Sequence, residues 1–145
     1  MGRLTTASGI SSLALGYSTT ASGHQSISAG NSSTASASYS TSIGYGSVAS
    51  DFASVVIGQY NSSGSSATSA TLFSTSNTAF VIGNGTASNA KSDAFKVMFN
   101  GDTYVSSSLY LAGTAITATA AEINLLDGVT TIGDGILASV TESSN

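Results

Sequence analysis

Glycine falls at positions 2, 9, 16, 23, 30, 44 and 58, a spacing of seven interrupted only by Ala37 and Asp51. Four residues before each slot from Gly9 onward stands Ser or Thr, from Thr5 to Ser54. Two residues before it comes Ala at 7, 14, 21, 35 and 49, with Ser28, Ser42 and Val56 in the other copies. Small side chains at every second residue mark a strand with one face that tolerates nothing bulky. A helix is disfavoured because Ser, Thr and Gly form helices poorly, and a heptad coiled coil would need large apolar residues twice in every seven.

The residues between the small ones show that the true period is 14. In alternate units they are Leu13 and Leu15, Ile27 and Ala29, Thr41 and Ile43, Val55 and Ile57; in the others they are Thr6 and Ser8, Thr20 and Ser22, Thr34 and Ser36, Val48 and Ser50. Such a repeat predicts a solenoid in which each coil holds two short strands, turned at Tyr17-Ser18, Asn31-Ser32 and Tyr45-Gly46, with coils stacked about 4.8 Å apart. Ala7, Ala14, Ala21, Ala35 and Ala49 are then expected in the roll interior. One outer face carries Thr and Ser; the other carries Leu, Ile and Val.

An interior of Ala, Ser and Gly buries little apolar surface. At about 25 cal/mol per Å² it does not offset roughly 1 to 2 kcal/mol of chain entropy per residue. With no cysteine there is no disulfide to help, so association is the expected remedy. A continuous apolar stripe calls for identical neighbours around a symmetry axis. Leu13, Leu15, Ile27, Ile43, Val55 and Ile57 are accordingly the expected interface of a homotrimer.

Composition narrows the rest. Only 7% of the 145 residues are charged, against roughly 25% in a typical soluble domain, while 41% are apolar. Three basic residues and a net charge of −4 leave no footprint for a phosphate backbone, so nucleic acid is not an expected partner. No stretch reaches the ~20 apolar residues of a membrane helix, and the N-terminal MGRLTTASG lacks a signal-peptide core. Membrane insertion is not expected, and the repeat's start close to Met1 fits a fragment of a longer fibre.

The pattern TASGxxSxAxGxxS, in Thr6 to Gly16 and again in Thr20 to Gly30, resembles the head repeat of the YadA-like trimeric adhesins. The resemblance covers residues 5–58 and implies a left-handed parallel β-roll, three chains per head and no enzymatic activity. At the two departures, Ala37 would strain a left-handed turn, whereas Asp51 would tolerate one better.

Past the roll (1–58), residues 59–78 read as a Ser-rich connector with one short strand near Leu72-Phe73. Residues 79–113 read as a β module: AFVIGNG is a strand and turn, AFKVMFNGDTYV a hairpin about Asn100-Gly101, and SLYLAG a further strand. The 80–105 segment is similar to a β module found below head repeats in phage tail fibres and related trimeric fibre proteins. TAITATAAEINLLDGVT, within the last region (114–145), resembles a short unit recurring in those fibres. Thr119 and Glu122 have capping-box spacing ahead of a brief helix whose Ile123, Leu125 and Leu126 are expected to join the trimer interface. A final strand is expected over 136–140.

The fold class expected is therefore all-β: a parallel β-roll with 14-residue repeats, a small strand module and one short helix, in an intertwined homotrimer. No catalytic, cofactor or metal site is expected. His24 stands alone at a turn, and the acids Asp51, Asp93, Asp102, Glu122, Asp127, Asp134 and Glu142 are scattered. Asn31, Asn61 and Asn84 match a glycosylation pattern but also suit turns. Tyr17, Tyr39 and Tyr45 near the turns fit either packing between coils or an outward contact surface.

The expected function is non-enzymatic: a homotrimeric segment of a phage tail fibre on the virion, joined to neighbouring fibre segments and contacting a host-surface glycan or protein. The alternative is the head of a bacterial trimeric surface adhesin. A third reading, an ice-binding solenoid, rests on the Thr6, Thr20 and Thr34 row.

Overall fold

The computed structural model describes residues 2–125, with the side chain of Leu125 left aside; Leu126 and the strand expected over 136–140 lie outside the described residues. Short and long strands alternate through the repeat: β1 (Thr6–Ala7), β2 (Leu13–Tyr17), β3 (Thr20–Ala21), β4 (Ile27–Asn31), β5 (Thr34–Ala35), β6 (Thr41–Tyr45), β7 (Val48–Ala49) and β8 (Val55–Gln59). The short strands stack in parallel as β1-β3-β5-β7, and the long ones as β2-β4-β6-β8. Every register step is one repeat, with Leu13 beside Ile27, Ile27 beside Thr41 and Thr41 beside Val55. The protein is a parallel β-solenoid of about four coils.

The glycine column fixes how closely the coils approach. Gly16 has φ of 112°, and a Cβ there would sit 2.0 Å from the Gly30 carbonyl oxygen; Gly30 has φ of 121° and meets the Gly44 oxygen at the same distance. No other residue combines the left-handed backbone with that approach. The turns have their own period of seven. Leu4, Ser11, Ser18, Gln25, Ser32, Tyr39, Gly46, Ala53 and Tyr60 all have positive φ. Each such non-glycine residue costs about 1–2 kcal/mol in isolation. The coil below holds several of them through the backbone N–H, as in Ser32 to Tyr17 O (2.9 Å), Gly46 to Asn31 O (2.8 Å) and Tyr39 to His24 O (2.7 Å).

This placement corrects the expectation of strain at Ala37. Neither Ala37 nor Asp51 is left-handed; the left-handed residue of that turn lies two positions later, at Tyr39 and Ala53. Ala7 is a second correction. It is exposed, because β1 is the edge strand of its sheet and Ala7 pairs only with Ala21. Ala14 is 6% exposed, and Ala21, Ala35 and Ala49 are fully buried.

Inside the roll, hydroxyls pair with one another and with backbone. Ser28 and Ser33 are 3.0 Å apart across the interior, and Ser42 and Ser47 2.8 Å. Ser26, Ser40 and Ser54 each donate to the carbonyl three residues back, at 2.7–2.8 Å. At one end of the roll Ala49, Val56 and Val81 form a buried apolar cluster.

The long sheet continues past the repeat, across the expected boundaries at 58 and 78. β9 (Thr78–Asn84) lies parallel on β8, with Val55 beside Phe80 and Gly58 beside Gly83. β10 (Asp93–Met98) and β11 (Thr103–Val105) add antiparallel, completing seven strands. The turn from β10 to β11 closes through Met98 N–H to Asp102 O and a left-handed Gly101.

The short sheet ends differently. Asn61 is fully buried, and its amide takes the place of a fifth short strand: Oδ1 accepts from Val48 N–H, and Nδ2 donates to Val48 O, both at 2.8 Å. The connector is then held by side chains. Buried Asp51 accepts from Thr68 N–H (2.6 Å) and Thr78 N–H (2.8 Å); Asp93 accepts from Ser62 and Ser63 N–H, each at 2.8 Å. The strand expected near Leu72-Phe73 is absent; both side chains are exposed, and the segment hydrogen-bonds to Asn77 Nδ2 through Leu72 O rather than to a sheet edge.

A second compact unit begins at residue 108. Its hairpin pairs β12 (Tyr110–Leu111) with β13 (Thr114–Ala115) across left-handed Ala112 and Gly113, and α1 (Ala120–Leu125) follows.

Two substitutions test this account in chemical denaturation. Gly30→Ala is expected to destabilise by at least about 2 kcal/mol, from the strained φ and the carbonyl overlap together. Asp51→Ala strips the buried Thr78 N–H and the more exposed Thr68 N–H of their acceptor and should cost about 1–3 kcal/mol.

Candidate assembly face and turn edges

Alternation along the long strands places Ala14, Ser28, Ser42, Val56 and Val81 inside, so their neighbours point outward. In register, these neighbours make two columns across the sheet. One runs Leu13, Ile27, Thr41, Val55, Phe80 and Val97; the other runs Leu15, Ala29, Ile43, Ile57, Ile82 and Phe95. Leu13, Leu15, Ile27 and Ile43 are 38–45% exposed in the single chain, and Val55 and Ile57 are half-buried. Covering each of the first four would stabilise by about 1–2 kcal/mol at 25 cal/mol per Å². This face therefore has something to gain from a neighbour.

Phe80, Ile82, Phe95 and Val97 belong to this face and were not read from the sequence. A signal existed: Val55-Val56-Ile57-Gly58-Gln59 returns as Phe80-Val81-Ile82-Gly83-Asn84, in register. The spacing of 25 rather than 14 conceals it.

The opposite face is polar. Thr6, Thr20 and Thr34 align in register and are followed by Val48, while Ser36 and Ser50 hydrogen-bond to one another at 3.0 Å. The aligned Thr row is three residues long, and part of the adjoining hydroxyl capacity is already spent within the protein.

The tyrosines fall on two edges. Tyr17 and Tyr45 end long strands, in one register column with Asn31 between them. Tyr39 lies at the other turn, its ring edge-on to His24 (5.6 Å) and Phe52 (5.2 Å). Tyr17 lies 5.6 Å from the Arg3 guanidinium, and Tyr45 lies 5.0 Å from the Tyr60 ring. All three tyrosines are 42–48% exposed. The structure does not gather them into one patch.

Asn61 spends its amide on backbone, while Asn31 and Asn84 are exposed. Among the described residues, no three His, Cys, Asp or Glu side chains come together as metal ligands. Among them too, no helix is long and apolar enough to cross a membrane.

In the second unit the capping box is formed. Glu122 Oε2 accepts from the Thr119 N–H (2.7 Å) and hydroxyl (2.8 Å), and Thr119 Oγ1 accepts from Glu122 N–H (3.2 Å). The backbone bond first, then the hydroxyl, hold the Glu122 carboxyl below its ordinary 4.5. Ile123 is 47% exposed.

A depressed carboxylate contributes stability that is present in full above its unfolded pKa and lost as pH falls through the folded value. The α1 signal in Cα chemical shifts of 120–123 should therefore persist from neutral pH to about 4.5 and fade below it. Thr119→Ala should weaken that dependence.

A family model described as the YadA head domain repeat matches residues 7–33, 21–47 and 35–61, each match spanning two copies. No curated protein and no solved structure matches the chain. The matched windows step by one 14-residue coil and end at Asn61, the residue whose amide closes the short-strand sheet. Residues 7–61, 55 of the 145, are YadA-like head repeats.

Proposed function

We propose that this chain is a segment of a homotrimeric, non-enzymatic fibre that presents its roll at a surface to be contacted. The observation that carries this reading is the apolar outer face of the long-strand sheet, from Leu13 through Ile57 and on to Phe95. Solvated aliphatic columns on a roll whose interior is largely serine and alanine favour association. YadA head domains are trimeric in general, which supports three copies rather than two. Leu13, Leu15, Ile27, Ile43, Val55 and Ile57 form the interface in this reading.

Two carriers suit such a segment. The likeness of TAITATAAEINLLDGVT to a phage tail-fibre unit supports a virion tail fibre that attaches to its host. The head repeats themselves support, at least as well, the head of a bacterial surface adhesin, and adhesins of that family are surface-exposed. The two readings share the roll and its assembly. Localising the native protein with an antibody, on purified virions or on bacterial cells, separates them.

The trimer is tested by sedimentation equilibrium of the full chain. The expected mass is three times 14.2 kDa; a stable monomer at micromolar concentration refutes the assembly. Ile43→Asp sets a charge among the apolar columns and should shift the protein toward monomer, while Ser22→Asp on the polar face should leave the trimer intact.

A further inference from the structure

We propose that the turn edge carrying Tyr17, Asn31 and Tyr45 is a binding rail for an extended, uncharged, β-1,4-linked polysaccharide. The inference deepens the surface-attachment reading above and rests on it.

Three observations carry it. The first is register: Tyr17, Asn31 and Tyr45 are consecutive Cα partners at the ends of neighbouring long strands, so they form a straight row along the solenoid axis. The left-handed residues that follow them, Ser18, Ser32 and Gly46, turn the chain identically in each coil. The row is therefore fixed by backbone stacking rather than by a loop.

The second is chemistry. The side chains are 42% and 47% exposed, and the backbone positions that carry them lie two coils apart, about 9.6 Å at the usual strand spacing. That is close to the length of one disaccharide unit in an extended β-1,4-linked hexose chain, so successive repeats would each meet an aromatic ring. Asn31, between them, is exposed; its Oδ1 accepts from the Ser32 hydroxyl at 2.9 Å, and its amide N–H groups have no protein acceptor among the described residues. Aromatic rings suit the C–H faces of sugars, and amide donors suit their hydroxyl or acetamido oxygens.

The third is charge. Arg3 precedes Tyr17 in the column, its guanidinium 5.6 Å from that ring. From Tyr17 on to Gln59, and along the turn residues Ser18, Ser32, Gly46 and Tyr60, the edge bears no ionisable side chain other than tyrosine, so this stretch offers an ionic ligand no partner. Tyr39 supplies the contrast: it lies at the other turn, edge-on to both His24 and Phe52.

The test is calorimetric titration of the full-length chain with the hexasaccharides of β-1,4-linked glucose and of β-1,4-linked N-acetylglucosamine, alongside sedimentation of every variant. At least one sugar is expected to bind. Tyr17→Ala and Tyr45→Ala should each weaken binding about tenfold, Tyr45→Phe should retain it, and Tyr39→Ala should leave it unchanged, all without altering the oligomeric state. The two sugars distinguish recognition of the acetamido group from recognition of the hexose ring. Binding of neither, an equal loss in Tyr39→Ala, or dissociation of the assembly by the Tyr17 and Tyr45 variants overturns the rail. Adhesion of the unmodified chain to host cells, measured in parallel, separates the two levels: adhesion without sugar binding overturns the rail and leaves surface attachment standing.

Discussion

The close approach of successive coils at the glycine column is the constraint on which the rest of the roll depends. With the Gly30 Cα beneath the Gly44 carbonyl there is no room for a side chain. That approach lets the long strands pair in parallel with a shift of one repeat per coil, and it places every chemically equivalent residue in a straight column. Interior serines then find one another, outer aliphatics form two stripes, and the residues ending the strands form an edge. A change at the glycine column would disturb all three.

A roll built in this way has a narrow interior and little apolar burial. Its cohesion comes from backbone pairing and from hydroxyl contacts such as Ser42 with Ser47. The apolar cluster of Ala49, Val56 and Val81 sits at one end, where the short strands run out. There Asn61 completes the pairing of Val48, while Asp51 and Asp93 hold the connector by its N–H groups. Leaving those groups unpaired would expose an edge able to recruit another strand. Asn61 therefore serves both stability and specificity.

The sequence made the roll legible because its rule is local and repeated. The small-residue slots, the two-strand coil and the aliphatic stripe from Leu13 to Ile57 all follow from alternation and a period of 14. The capping box at Thr119 and Glu122 was legible for the same reason, since its partners are three residues apart. The end of the roll was not. Asp51 read as an imperfect glycine slot, yet its carboxylate binds N–H groups 17 and 27 residues away. Asn61 read as part of a turn, and its partner Val48 lies 13 residues back.

What the sequence determined by itself is therefore the coil: its length, its narrow interior and which of its faces is apolar, because stacking repeats one short-range pattern. What only the tertiary structure decided is how the stack ends and how far the apolar face extends. Phe80, Ile82, Phe95 and Val97 join that face only once β9 pairs with β8 across an intervening connector and β10 folds back on β9. Pairing across a long loop is set by which backbone edge is left open, and that edge exists only after the preceding coils have stacked.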